Sequence, residues 1–154
     1  MFRSYLAIMV VVTGWATVAV AKDIAVISHK GNSVTSLTIA DLAKLCKGQT
    51  ARWSDGKPVT CVIRQPGSPE MKVVLEKVYS VGTEDLVSTI ATANRGRTHP
   101  AILVVDSNDE LVKKVQSLPG SLGMVDVYSI TGGVNVIRVG GKLPLEPGYP
   151  IHGN

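Results

Sequence analysis

Charge, aromatic rings and cysteine are all scarce in this chain of 154 residues. Asp, Glu, Lys and Arg make up 18%, aromatics 5%, and cysteine occurs twice. Two cysteines are too few for a disulfide-stapled miniprotein. The apolar share, 45%, is too high for a disordered chain, and the length suits one domain. A formal net charge of +4 is a mild excess without a long basic run, so nucleic acid is not an expected partner. His29, His99 and His152 share no metal-ligand spacing, and no metal or cofactor is expected. There is no Gly-x-Ser-x-Gly elbow, and no His–Asp arrangement can be read around a serine, so an enzyme is not expected.

One apolar run stands out. From Leu6 to Ala21 there is no charged residue; Arg3 precedes the run and Ala19-Val20-Ala21 closes it. A basic start, an apolar stretch and small residues two apart are the architecture of a secretory signal cut after Ala21. About 16 residues is short of the roughly 20 a spanning helix needs. The rival reading is an uncleaved N-terminal anchor; no cysteine follows the run to carry a lipid. Residues 1–21 are therefore expected to be a signal peptide, and 22–154 one periplasmic or secreted domain with no membrane insertion after cleavage. Loss of the signal takes Arg3 and the only Phe, Phe2, and leaves Trp53, Tyr79, Tyr128 and Tyr149 as the aromatics. The core must come from Val, Ile and Leu. Export would also place Cys46 and Cys61 in an oxidising compartment, where a bridge between them is expected.

Strand and helix signals alternate along the domain. Ile24–Ser28 reads as a buried strand, and Thr38 with Asp41 as a helix start with Ile39, Leu42, Ala43 and Cys46 on one face. Gly48 fits the stop. Val59–Arg64 is a second strand, after which Ser68 is placed to cap a helix and Pro69 to open it. Met71, Val74, Leu75 and Val78 form its apolar stripe. Thr83 can cap a further helix to about Asn94. Ala101–Val105 is an apolar run, and Ser107-Asn108-Asp109-Glu110 is a capping box ahead of Leu111, Val112 and Val115. Leu122–Tyr128 and Val134–Val139 read as strands joined at Thr131-Gly132-Gly133. The tail from Gly140 reads as extended and wrapped. The expectation is one α/β domain, a mixed sheet flanked by helices.

The segment from Val59 to Glu70 carries the most chemistry. A strand delivers Arg64 to its carboxyl end, and a glycine loop then feeds a helix whose first N–H groups are free. Such an end can hold an oxyanion through its free donors, its dipole and a guanidinium fork. Arg64, Gly67 and Ser68 are the candidate ligand-binding residues; the plain alternative is an ordinary helix start with Arg64 paired to a carboxylate. Arg95 and Arg97, in the basic loop before Ala101, are secondary candidates, as are Asn32 and Ser33 after the first strand, read as lining the same end of the sheet.

Four stretches together resemble phosphate-binding-protein-like domains, the periplasmic solute-binding proteins of phosphate ABC uptake systems and their small relatives. Ser36-Leu37-Thr38 through Lys47-Gly48 and Trp53-Ser54-Asp55-Gly56 is similar to their opening pattern. Arg64, Gly67 and Ser68 fall on their Arg-x-x-Gly-Ser phosphate loop. Leu118-Pro119-Gly120-Ser121-Leu122-Gly123 and Gly148-Tyr149-Pro150 resemble two later segments, in the same order. The resemblance implies a periplasmic-binding-protein-like lobe without catalysis. It also implies phosphate or another small oxyanion as ligand, and an ABC permease, a second lobe or another protein as partner. The chain departs from the larger members at Pro69, which removes a backbone donor, and Glu70, which adds a negative charge. At this length it resembles one lobe of a pair. The alternative it leaves open is an envelope accessory protein that keeps the fold without tight ligand binding.

Overall fold

The computed structural model describes residues 22–153; the expected signal peptide, residues 1–21, lies outside them. Seven strands and four α-helices follow in the order β1 (Ile24–His29), β2 (Ser36–Leu37), α1 (Ile39–Cys46), β3 (Thr60–Arg64), α2 (Pro69–Val74), α3 (Thr83–Asn94), β4 (Ile102–Val105), α4 (Asn108–Ser117), β5 (Ser121–Asp126), β6 (Val134–Val136) and β7 (Arg138–Val139). Five strands form one mixed sheet in the order β4-β3-β5-β1-β6. β3 runs parallel to β4 and β5, whereas β1 runs antiparallel to β5 and β6. This is the α/β architecture expected from the alternating elements.

The central strands read as nearly unbroken apolar runs because both sheet faces are covered. Ile24 and Val26, Cys61 and Ile63, and Leu122 and Met124 point to one side, where they pack with Leu42, Leu45, Met71, Val74 and Tyr79 from α1, α2 and the following turn. Ala25, Ile27, Val62 and Val125 point to the other, against Leu111, Val112 and Val115 of α4. Period-two alternation thus divides each strand between two cores. Gly123 lets α4 come close: a Cβ there would stand 2.7 Å from Leu111 Cδ2 and 2.9 Å from Val115 Cγ2.

Local signals fix most helix ends. Thr38 Oγ1 accepts the Asp41 N–H, and Ser107 Oγ accepts that of Glu110. α3 starts at Thr83 with Gly82 as its cap residue, one place earlier than the sequence signal. The helix begun at Pro69 continues through Leu75–Tyr79 as a π-helical turn, which keeps Leu75, Val78 and Tyr79 buried.

Pairing over long distances decides the course of the chain after β5 and corrects one expectation, the single strand Val134–Val139. The strands flanking Thr131–Gly133 do not pair with each other, because β1 lies between β5 and β6. Val134–Val139 is not one strand either. β6 lies on β1, Ile137 turns into the core, and β7 pairs with β2, itself too short to leave a sequence signature. The tail wraps as expected: Ile151 O accepts the Ile24 N–H, Lys22 O accepts that of Gly153, and Tyr149 Oη donates to Ile24 O.

Trp53 is a packing anchor whose indole N–H donates to Gly120 O at 2.8 Å. Gly120 itself has φ +80°, and a Cβ there would lie 2.3 Å from Pro58 O. Gly120→Ala is expected to lower stability by more than about 1 kcal/mol, through both backbone strain and collision. Urea denaturation of the two proteins checks this.

Candidate functional site

Arg64 ends β3, and β3 is parallel to β4 in the register Arg64↔Val105. The helix that follows each strand therefore starts beside the same spot. α2 brings Ser68 and Glu70; α4 brings Asn108. The three polar side chains close a triangle: Arg64 Nη1 donates to Glu70 Oε2 at 3.1 Å and to Asn108 Oδ1 at 3.0 Å, and Asn108 Nδ2 donates to Glu70 Oε1 at 3.1 Å. Gln65 Nε2 ties the two loops together through Asp106 Oδ1 at 2.8 Å.

The triangle is poorly hydrated. The Arg64 and Glu70 side chains are 15% and 9% exposed. Burial pushes the Glu70 carboxyl up, but its own backbone N–H, the Asn108 amide and the positive charges of Arg64 and Lys22 outweigh that and hold it below the usual carboxylate range. At neutral pH, then, an ionised carboxylate occupies one edge of the guanidinium.

Two donors of this segment are left over. Arg64 Nε and Ser68 Oγ are buried and have no hydrogen-bond partner. Ser68 has the extended backbone of a cap residue, yet its side chain accepts no N–H from the helix. Sequence reasoning placed Ser68 as an ordinary cap, and the structure leaves its hydroxyl free. Gly67 is exposed with no positive φ, and a Cβ there would meet nothing within 4 Å. Nothing in the fold requires glycine at that position.

The secondary candidates are not brought to this end of the sheet. Because β1 is antiparallel to β5, its carboxyl end lies beside the start of β5, with Ser28 opposite Leu122. Asn32 and Ser33 follow β1 and sit at the far end from Arg64, which corrects the expectation that they share its side. Asn32 Oδ1 accepts the Val34 N–H, and its buried Nδ2 has no partner. Arg95 and Arg97 precede β4 and also lie at that far end, where Arg97 Nη2 donates to Gly48 O.

Cys46 and Cys61 are both fully buried, and their Sγ atoms lie 2.9 Å apart as an unbonded pair. Burial, and then Cys61, push the Cys46 thiol well up, which suits a packed thiol and not a nucleophile. Among the described residues no group of three or more His, Cys, Asp and Glu side chains could hold a metal ion, and no helix is long and apolar enough to cross a membrane.

Asn108 was missed as a site residue. Its signal was available only indirectly: it opens a capped helix after a strand that pairs in parallel with β3.

Comparison with protein-family models finds no match, nor does comparison with curated proteins. Solved structures do match. An ABC-type phosphate transport receptor from Vibrio cholerae superimposes with a TM-score of 0.70 at 19% identity, over 86% of this chain and 54% of that one. The chain has the fold of a periplasmic-binding-protein-like lobe. PstS from Borrelia burgdorferi matches with a TM-score of 0.67 and 20% identity, over 87% of this chain and 55% of that one. A phosphate ABC transporter substrate-binding protein from Clostridium perfringens, solved with bound phosphate, gives 0.64 and 21%, over 79% and 46%. The chain thus spans about half the length of these structures.

Removal of the Arg64 charge would leave Glu70 buried and uncompensated. Arg64→Ala is expected to cost about 3 kcal/mol, measured by chemical denaturation. The depressed Glu70 pKa gives the sign of the pH effect. Its stabilising contribution is complete above the ordinary value of 4.5 and is lost as pH falls through the lower folded value. Glu70→Gln should remove that component from a plot of stability against pH.

Proposed function

We propose that the protein is an exported, non-enzymatic solute-binding-type module that takes phosphate or another small oxyanion at Arg64, Gly67 and Ser68. The observation that carries this reading is the pair of buried donors without acceptors, Arg64 Nε at the end of β3 and Ser68 Oγ at the cap of α2. Leaving a buried donor unmet costs about 1–3 kcal/mol, and an oxyanion seated there would supply acceptors to both. The open space over Gly67 allows the close backbone approach that such a ligand needs. Several structural neighbours are phosphate-transport or phosphate-binding proteins, and the Arg-x-x-Gly-Ser loop of this chain supports the same ligand class. An ABC permease is the partner this reading implies, and the periplasm or the exterior its location.

Recognition would be non-covalent, with the guanidinium fork supplying charge and the hydroxyl supplying geometry. Glu70 opposes it. Its carboxylate already holds Arg64 Nη1, so an incoming anion meets a like charge within the site. This one contact favours the second reading, an envelope accessory protein that kept the fold and binds a protein partner without tight ligand capture.

Isothermal titration of the folded protein with phosphate separates the two. The oxyanion reading expects saturable heat at millimolar ligand or below, abolished in Arg64→Ala. It also expects about tenfold weaker binding in Gly67→Ala with unchanged stability, and tighter binding in Glu70→Gln. Absence of heat from folded wild-type and Glu70→Gln proteins would leave the accessory reading.

The adjacent thiols support a Cys46–Cys61 disulfide in the exported protein. Thiol counting under native, non-reducing conditions should find none free, and reduction should cost about 3 kcal/mol for a loop of about 15 residues. Two reactive thiols after denaturation without reductant would refute the bridge.

A further inference from the structure

The end of the sheet remote from Arg64 carries a second concentration of positive charge. A cleft there is lined by Ala51, Arg52, Pro58, Arg97, Thr98 and His99. The two arginines come from segments far apart in sequence, the turn before β3 and the loop before β4, and no acidic residue lines the cleft. Each guanidinium is fixed by one backbone carbonyl: Arg97 Nη2 donates to Gly48 O at 2.6 Å, and Arg52 Nη1 to Gly56 O at 2.8 Å. Among the described residues neither arginine has a carboxylate within 4.0 Å. Both therefore keep their full charge and most of their N–H groups for something outside the chain.

Two arginines whose guanidinium heads are held on neutral carbonyls line this one opening. Arginine in this arrangement selects planar or tetrahedral oxyanions, and two forks favour an anion with more than one negative charge. The adjoining wider cleft extends the positive surface from Arg97 to Lys47, past the hydroxyls of Thr89 and Thr92. Asp85 is the one carboxylate on that wider wall, and it sets a limit: the charged group belongs at the Arg52–Arg97 side.

We propose that this cleft is a second anion site, which takes a phosphate group bearing two or more negative charges between Arg52 and Arg97. The phosphate can belong to a soluble phosphoester or to a lipid headgroup, since both offer the same oxygens. The site is independent of Arg64, which lies at the other end of the sheet.

The test uses purified protein at physiological ionic strength and two probes. Inorganic tripolyphosphate is titrated by calorimetry. Vesicles of phosphatidic acid, a phosphomonoester lipid, in phosphatidylcholine are tested by co-sedimentation against pure phosphatidylcholine. The site predicts saturable binding to at least one probe, weakened about tenfold or more in Arg52→Gln/Arg97→Gln, with the same loss when the pair is changed in an Arg64→Gln background. Tripolyphosphate binding alone would mark a soluble phosphoester; vesicle binding alone would mark a headgroup. Arg97 also closes the end of α1, so Arg52→Gln, which touches only its own turn, serves as the separate folded variant and should lose about threefold or more. The proposal is overturned if folded wild-type protein binds neither probe, or if the double variant binds as well as wild type. Phosphate binding that is unaffected by Arg64→Gln, with the Arg52–Arg97 effect retained, would sink the first reading and leave this one standing.

Discussion

A guanidinium at the end of a buried parallel strand has to be neutralised, and much of the surrounding structure answers to that requirement. Arg64 cannot retreat into water, because β4 and β5 flank its strand and helices cover both faces. Its charge is met by Glu70 and its geometry by Asn108, each delivered by a different helix start. That closure fixes the distance between α2 and α4, and it fixes both helices to the sheet. The same closure leaves Arg64 Nε and the Ser68 hydroxyl without partners. The guanidinium is thus satisfied on one edge by a carboxylate and left unsatisfied on the other.

The antiparallel course of β1 divides the remaining chemistry. It sends Asn32 and Ser33 away from Arg64, to the end where the basic loop before β4 also lies. Carboxylates gather at the Arg64 end, where Glu70, Asp106, Asp109 and Glu110 follow β3 and β4. Arg52, Arg95 and Arg97 gather at the other.

Much of the architecture was legible residue by residue. Thr38 and Ser107 cap the helices their patterns announced, Pro69 opens α2, and the uninterrupted apolar runs at Ile24 and Val59 are the doubly covered strands. Trp53 was legible as an anchor. The errors came from pairing between distant segments. Thr131-Gly132-Gly133 looks like a turn joining two strands, yet β1 separates them. Ser36–Leu37 forms a strand only because β7 lies beside it. At the candidate site, Arg64 and Ser68 were nominated from the sequence around them, whereas Asn108, which bonds Arg64, is more than forty positions away and its capping box suggested only a helix start.

The sequence by itself determined which residues could carry charge chemistry, where helices begin, and that the core would be aliphatic, because these depend on residue type and short spacing. It also carried the likeness to phosphate-type binding lobes, in motifs that are each local. Tertiary structure alone decided which polar groups meet. The parallel register of β3 and β4 put Asn108 on Arg64, and the reversed β1 took Asn32 elsewhere. Whether Glu70 faced water or Arg64 was likewise a matter of packing: a helix residue six places after a strand end finds its partner only once the sheet has fixed how the helix lies.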